Sequence, residues 1–276
     1  MPKLGIIAGA GGLPGQIAAA CRETGKEHCI LAFEGSADAG LLGESEVTWI
    51  QMAKISKAFE EARKAGIKEI VMVGNIPRPS VRDLMRDPRS AKFILKVGSR
   101  FLGDDNILSA VVKELEETEG FKVLSPDIFL ENILARSGAY GSFGPDTETM
   151  ADIDRGIEVV EALGRLDVGQ AVIIQNGLVV GVEAAEGTDK LINRCSEFIQ
   201  EGLPGGVLVK ASKPAQERRV DLPAVGISTV KRASKAGLRG IAVEVDRTLI
   251  IDQVEMINVA NRAGIFIFGF EIEGRQ

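Results

Sequence analysis

Leu4–Gly25, LGIIAGAGGLPGQIAAACRETG, reads as a strand, a glycine turn and a helix in direct succession. Leu4–Ala8 is a short apolar run of the kind that forms a buried strand, and Gly9-Ala10-Gly11-Gly12 is a tight turn. Leu13–Gly25 then carries Pro14 in its first turn and Gly25 at its end, the usual punctuation of a helix. Working outward, the same rhythm recurs. Strands are expected at Cys29–Phe33 and Val47–Ile50, a helix over Ile55–Ala65 stopped by Gly66, and a strand at Glu69–Val73. Alternation of this kind predicts an α/β fold that opens with a Rossmann-like domain, a parallel sheet with helices on its faces.

The turn is close to the dinucleotide pattern G-x-G-x-x-G, but Pro14 stands where the third glycine belongs. Its physical content survives that departure. The small residues let the backbone N–H groups of Gly9, Gly11, Gly12 and Leu13 approach a phosphate or ribose at a helix N-terminus. A tight strand-to-helix connection without a ligand fits the residues equally well. At the end of the Glu69–Val73 strand, Gly74-Asn75-Ile76-Pro77-Arg78-Pro79 puts Asn75 and Arg78 where a ligand over the first turn would meet them, although turn-forming Asn and Pro explain the same residues.

Gly103-Asp104-Asp105 precedes an expected helix at Ile107–Glu117, so one aspartate is expected as its N-cap and the other faces a ligand or cation. Phe121–Leu124 reads as a strand and Asp127–Leu134 as a short helix. Ala135–Pro145, ARSGAYGSFGP, lacks periodicity and is expected as a linker, giving domains at 1–134 and 146–276. The second domain is expected to be α/β with a mixed sheet. It opens with a helix at Thr149–Leu163 and a hairpin of Gln170–Ile174 with Leu178–Glu183 around Asn176-Gly177. A helix at Lys190–Ile199 follows, capped by Thr188 or Asp189, then a strand at Gly206–Val209. The chain ends with a helix at Ser228–Ala236, strands at Gly240–Val245 and Thr248–Ile251, a helix at Val254–Ala263 and a strand at Ile265–Phe270.

Composition narrows the chemistry. The 276 residues include one histidine, His28, and three cysteines without metal-ligand spacing, so acid, base and metal-ligand roles fall mainly to carboxylates. Aromatic residues are 5% of the chain, too few for a single-stranded nucleic-acid platform, and nucleic acid is set aside. The uncharged stretch Leu4–Cys21 is interrupted by glycines, Pro14 and Gln16, which fits neither a signal peptide nor a membrane span; a cytoplasmic protein is expected.

Leu208–Gly226, LVKASKPAQERRVDLPAVG, is the chemical counterpart of the opening turn. It sets Lys210, Lys213, Arg218 and Arg219 around Asp221, at the end of an expected buried strand, where α/β folds place ligands. From Lys210 to Arg239, eight basic residues face two acidic ones in a chain of net charge −6. A basic island in an acidic chain suits a small anion rather than a long polyanion. A solvated loop whose charges satisfy one another is the plainer alternative.

Together with IIAGAGGLP at Ile6–Pro14, Gly74-Asn75, Gly103-Asp104-Asp105, LDVGQ at Leu166–Gln170 and VEAAEGTD at Val182–Asp189, this segment resembles the UDP-2,3-diacylglucosamine pyrophosphatases of the metallophosphoesterase-unrelated type, over nearly the whole chain. Ala224 and Glu217 depart from the Thr and Asp of many relatives, Glu217 keeping the charge. The resemblance implies a dimeric, Mg²⁺-dependent hydrolase that yields UMP and 2,3-diacylglucosamine 1-phosphate, a lipid A precursor. It further implies that the first domain holds the UDP part and the second the lipid product, with Asp221 essential. Because that product is membrane-associated, transient contact with the inner membrane is expected. On the residues that match, Asp221, Lys213 and Gln216 are expected to be catalytic. Gly9, Gly11, Gly12, Leu13, Asn75, Gln170, Thr188, Lys210 and Arg218 are expected to bind substrate, and Asp221 and Asp189 to hold Mg²⁺. Asp221 either binds the metal or orients the attacking water. Val180, Phe266 and Phe268 line an acyl-chain site or pack the core. Two other classes remain open: a Rossmann-type oxidoreductase and a nucleotide-sugar-binding module without catalysis.

Overall fold

The computed structural model describes residues 2–51, 54–76, 91–92, 104–214, 216–272 and 274, with the backbone alone at 104–106. The chain divides into two compact units, Met1–Glu131 with Glu217–Asp221, and Asn132–Gln216 with Leu222–Gln276.

In the first unit, β1 (Lys3–Ala8), β2 (His28–Phe33), β3 (Val47–Ile50), β4 (Ile67–Val73) and β5 (Lys122–Leu124) form one sheet in the order β3-β2-β1-β4-β5. Every pairing is parallel. Their successive side chains alternate between faces. Ile7, Leu31 and Ile70 join Ala58 and Ala62 of α2 (Ile55–Lys64) and Val112 and Leu115 of α3 (Asp104–Glu117) in one core. On β1 and β2, α1 (Leu13–Glu23) packs with Ile17, Ala18 and Cys21 buried. Asp104 and Asp105 lie inside the first turn of α3 rather than ahead of it, because that helix starts three residues earlier than expected. The helix expected at Asp127–Leu134 is a single 3-10 turn, Pro126–Ile128.

The second unit contains β6 (Gly138–Tyr140), β7 (Ala171–Gln175), β8 (Leu178–Val182), β9 (Val207–Lys210), β11 (Gly240–Glu244) and β13 (Phe266–Phe270) in the order β6-β13-β11-β9-β7-β8. Strands β9, β11 and β13 run parallel, while β6, β7 and β8 join antiparallel, so the sheet is mixed. A separate parallel pair joins β10 (Ala224–Val225) to β12 (Leu249–Ile250). The sheet is covered on both faces. Ile173, Leu208, Ile241 and Ile267 pack with α5 (Thr188–Cys195), α6 (Ile227–Lys235) and α7 (Gln253–Ala263). Val172, Val207, Val209 and Phe266 pack with Ile153 and Val160 of α4 (Thr147–Arg165). Helix α4 sits close because Gly156 has no side chain: a Cβ there would lie 2.4 Å from Val209 Cγ2.

Within the stretch Ala135–Pro145, expected as a linker, Gly138–Tyr140 forms edge strand β6, and Tyr140 is buried with its hydroxyl accepting from Arg136 N at 2.5 Å. The unit boundary falls at Glu131/Asn132. Among the described residues no helix is long and apolar enough to cross a membrane.

Candidate active site

In the first unit the C-terminal ends of β1 and β4 touch. Gly9 N donates to Val73 O at 2.8 Å, Ala10 N to Asn75 O at 2.8 Å, and Asn75 N returns to Ala10 O at 3.0 Å. That approach requires glycine. A Cβ on Gly9 would lie 2.6 Å from Asn75 O, and one on Gly74, whose φ is +85°, would lie 2.7 Å from Ala10 O. Gly9 therefore locks two loops together, whereas Gly11, at φ +100°, faces open space. Gly12 is the N-cap of α1 and no side chain caps that helix. The first N–H groups of a helix lack intrahelical acceptors and carry the positive end of its dipole, so the turn Gly11-Gly12-Leu13 is suited to an anion. Pro14 is compatible with this position because its missing N–H is one of those orphans. The glycine missing from the fingerprint is displaced by one residue: a Cβ on Gly15 would lie 2.0 Å from Leu41 O. Asn75 is exposed, and its carbonyl is committed to Ala10. Arg78 and Gly103 lie outside the described residues.

In the second unit, side chains take over from backbone. Lys210 ends β9 only 5% exposed, and its Nζ donates to Thr188 Oγ1 at 3.0 Å and Ala224 O at 3.2 Å. Thr188 Oγ1 in turn lies 3.2 Å from both carboxylate oxygens of Glu183. Burial pushes the Glu183 carboxyl above the usual range, opposed by the nearby Lys210 ammonium. Neither Thr188 nor Asp189 is a cap, contrary to expectation. The helix starts at Thr188 behind Gly187, which sits at φ +80° with no side-chain bond to the helix end. Asp189 points to α6, with its carboxylate 3.1 Å from Arg232 Nε. That N–H is not aimed well enough to count as a hydrogen bond, so the contact is one of charge.

Three residues after Lys210, Lys213 Nζ donates to Asp167 Oδ1 at 2.6 Å and its backbone N–H to Gln216 Oε1 at 2.9 Å. Gln216 Nε2 closes the group on Gln170 Oε1 at 3.1 Å. The structure thus brings together five predicted residues in two sets, Lys210 with Thr188, and Lys213 with Gln216 and Gln170. Sequence reasoning missed Asp167, and it offered the carboxylates of EAAEGTD, Glu183 among them, to a cation shared with Asp221 rather than to Thr188. Asp167 had a visible trace, since a residue between a helix and a strand is a common place for the left-handed backbone it adopts, φ +53°.

Glu217–Asp221 belongs to the first unit although both flanks belong to the second. Val220 packs against the core of α2 and α3. Arg219 forks onto Glu217, 2.9 Å from each carboxylate oxygen, and reaches Glu116 Oε1 at 2.8 Å. That bond from Arg219 holds the Glu217 carboxyl below its ordinary range. Asp221 N donates to Glu217 O at 3.0 Å, which winds the segment into one turn with the Asp221 side chain half-buried and Arg218 exposed. Arg219 is a structural tie, and Lys210 and Lys213 each have their own oxygen partners.

Among the described residues no three His, Cys, Asp or Glu side chains cluster to hold a metal by themselves. A divalent cation held by one carboxylate is compatible with this donor set, because Mg²⁺ commonly takes one or two protein carboxylates and completes its shell with substrate phosphate and water.

Models of the LpxI N-terminal domain and the LpxI C-terminal domain match residues 3–133 and 136–268. The chain belongs to the LpxI family. It is 37% identical over 283 residues to the UDP-2,3-diacylglucosamine pyrophosphatase LpxI of Caulobacter vibrioides, with the whole of both chains covered. A solved phosphoribosylglycinamide synthetase from Anaerococcus prevotii aligns with 72% of this chain and 43% of its own at 8% identity and a TM-score of 0.23, a likeness too slight to carry an argument.

Proposed function

We propose that the chain is a UDP-2,3-diacylglucosamine pyrophosphatase, hydrolysing its substrate to UMP and 2,3-diacylglucosamine 1-phosphate in lipid A biosynthesis. The full-length identity to a relative with that activity carries the reading. In the reaction, water attacks one phosphorus and the bond from that phosphorus to the bridging oxygen breaks. The pyrophosphate bears about two negative charges, and their growth in the transition state must be met by positioned cations and N–H groups.

The uncapped turn Gly11-Gly12-Leu13 takes the UDP portion through backbone donors, with Gly9 and Asn75 holding the turn in shape. Lys210 and Lys213, both buried, supply charge at the end of β9, and their oxygen partners keep both ammonium groups in fixed places. Thr188, Gln170 and Gln216 orient the phosphate and the sugar, and Arg218 adds an exposed cation. Asp221 holds Mg²⁺ or orients the attacking water. Mg²⁺, when bound, supplies Lewis-acid charge to the phosphate oxygens. Asp189 is the second carboxylate proposed for the metal, and it would have to leave Arg232 to serve. The lipid product belongs to the second unit, the active form is a homodimer, and the enzyme works in the cytoplasm with transient contact at the inner membrane.

The decisive experiment incubates the purified protein with UDP-2,3-diacylglucosamine in Mg²⁺ or in EDTA. UMP released in Mg²⁺ and suppressed by EDTA is expected. No UMP under either condition would sink the hydrolase reading and favour a binding module, and ¹⁸O-labelled water would identify the phosphorus attacked.

A further inference from the structure

Glu244 is the last residue of β11 and is 2% exposed. A carboxylate that deep is costly unless it is matched by hydrogen bonds or charge. Both are present. Its Oε2 accepts from Ser212 N at 2.7 Å and from Ser212 Oγ at 2.8 Å, and its Oε1 lies 3.6 Å from Arg247 Nε. Ser212, itself 4% exposed, is the residue before Lys213.

Ala211 N still follows the register of β9 with β7, donating to Gln170 O at 3.0 Å, and beyond it two consecutive N–H groups find side-chain acceptors: Ser212 N donates to Glu244, and Lys213 N to Gln216 Oε1 at 2.9 Å. Strands β9 and β11 are paired up to Lys210↔Val243, so Glu244 sits one residue past the last pair, beside the point where the chain departs. A carboxylate gripping a backbone N–H and a hydroxyl of one residue forms charge-assisted bonds, roughly twice as strong as neutral ones.

We infer that Glu244 is a positioning residue for the proposed hydrolysis. By fixing Ser212 it sets where Lys213 leaves the backbone, and so where its ammonium meets the substrate phosphate. This inference rests on the hydrolase reading and on Lys213 acting on the phosphate. A displacement of about 1 Å at such a group costs on the order of 10²-fold in rate.

The test is a cycle of Glu244→Gln, Glu244→Ala, Lys213→Met and the Glu244→Gln/Lys213→Met double variant, assayed for kcat and KM by UMP release, with thermal unfolding measured on each. Glu244→Ala is expected to lower kcat about 10²-fold with KM within about threefold. Glu244→Gln, whose amide oxygen still accepts from Ser212, is expected to recover about tenfold of that loss. In the Lys213→Met background Glu244→Gln should change kcat less than about twofold, because the group it positions is gone. An equal kcat loss from Glu244→Gln in both backgrounds, or lowered unfolding temperatures with wild-type kcat, would overturn the inference. Wild-type protein that releases no UMP is a different result, which removes the hydrolase reading itself.

Discussion

At the end of β1 in the first unit, Gly11, Gly12 and Leu13 form a helix start that no side chain caps, which leaves backbone N–H groups as its donors. At the end of β9 in the second unit, the equivalent place is filled by Lys210 and Lys213, each buried and held by an oxygen partner. Backbone donors require that side chains be absent; fixed ammonium groups require that particular side chains be present. The two regions should therefore fail in opposite ways, the first when atoms are added and the second when they are removed.

The sharpest break concerns Asp221, the last residue of the Glu217–Asp221 segment that joins the first unit while the flanks of that segment belong to the second. Asp221→Ala is expected to lower kcat by about 10²- to 10⁴-fold, the range for a lost acid–base or water-orienting group. If Asp221→Asn regains activity as Mg²⁺ is raised, metal binding is the role; if no Mg²⁺ concentration rescues it, water orientation is. Turnover equal to wild type in both variants would remove the residue from the mechanism. Next in size is Lys213→Met, for which a kcat loss of roughly 10²-fold is expected, as for removal of one electrostatic donor in a transition-state clamp. Steady-state UMP release measures it, and a change confined to KM would make Lys213 a binding group only.

This division between the regions also explains what could be read in the sequence. The alternation of apolar strands with glycine-stopped helices is local, and β3 at Val47–Ile50 falls where the residues place it, with most other ends within one or two positions. The edge strand Gly138-Ala139-Tyr140 is three residues long, too short to show alternation, so its position came only from pairing with β13. The side-chain ties of the second unit join residues far apart in sequence: Lys213 to Asp167 across 46 positions and Ser212 to Glu244 across 32. Nothing local marks such partners. The tie of Arg219 was hidden for the same reason, since its partner Glu116 lies 103 positions away. Gly15 had a local signal, a glycine one step past the fingerprint, but its reason lies at Leu41.

The glycine turn offers the next test. Gly12 has an ordinary φ of −82°, and the nearest heavy atom to a Cβ there is Gln16 Nε2 at 4.0 Å. Gly12→Ala should consequently fold with stability within about 0.5 kcal/mol of wild type. If a phosphate or ribose seats against this backbone, the added methyl should weaken UMP binding roughly tenfold, within the ordinary cost of overpacking. Isothermal titration with UMP checks this, and wild-type affinity would reduce the turn to a strand-to-helix connection.

The smallest effect separates an open helix start from a filled one. Unlike α1, α4 begins behind Asp146, whose Oδ1 accepts from Thr149 N at 2.9 Å while Oδ2 pairs with Arg239 at 2.6 Å. The bonds from Thr149, reinforced by Arg239, pull the Asp146 carboxyl down from 3.8 to about 2. A depressed pKa means that the native state favours the ionised form. The associated stability is thus fully present above about pH 4 and disappears as the pH falls toward 2. In Asp146→Asn that dependence should vanish: unfolding midpoints of wild type and variant should differ most at pH 5 to 7 and converge near pH 2. The effect should be modest, because the side chain is exposed and solvent screens it. A gap between the two proteins that stays constant from pH 6 to pH 2 would mean that the cap acts through geometry and not through charge, and the contrast with the uncapped start of α1 would then lose its electrostatic half.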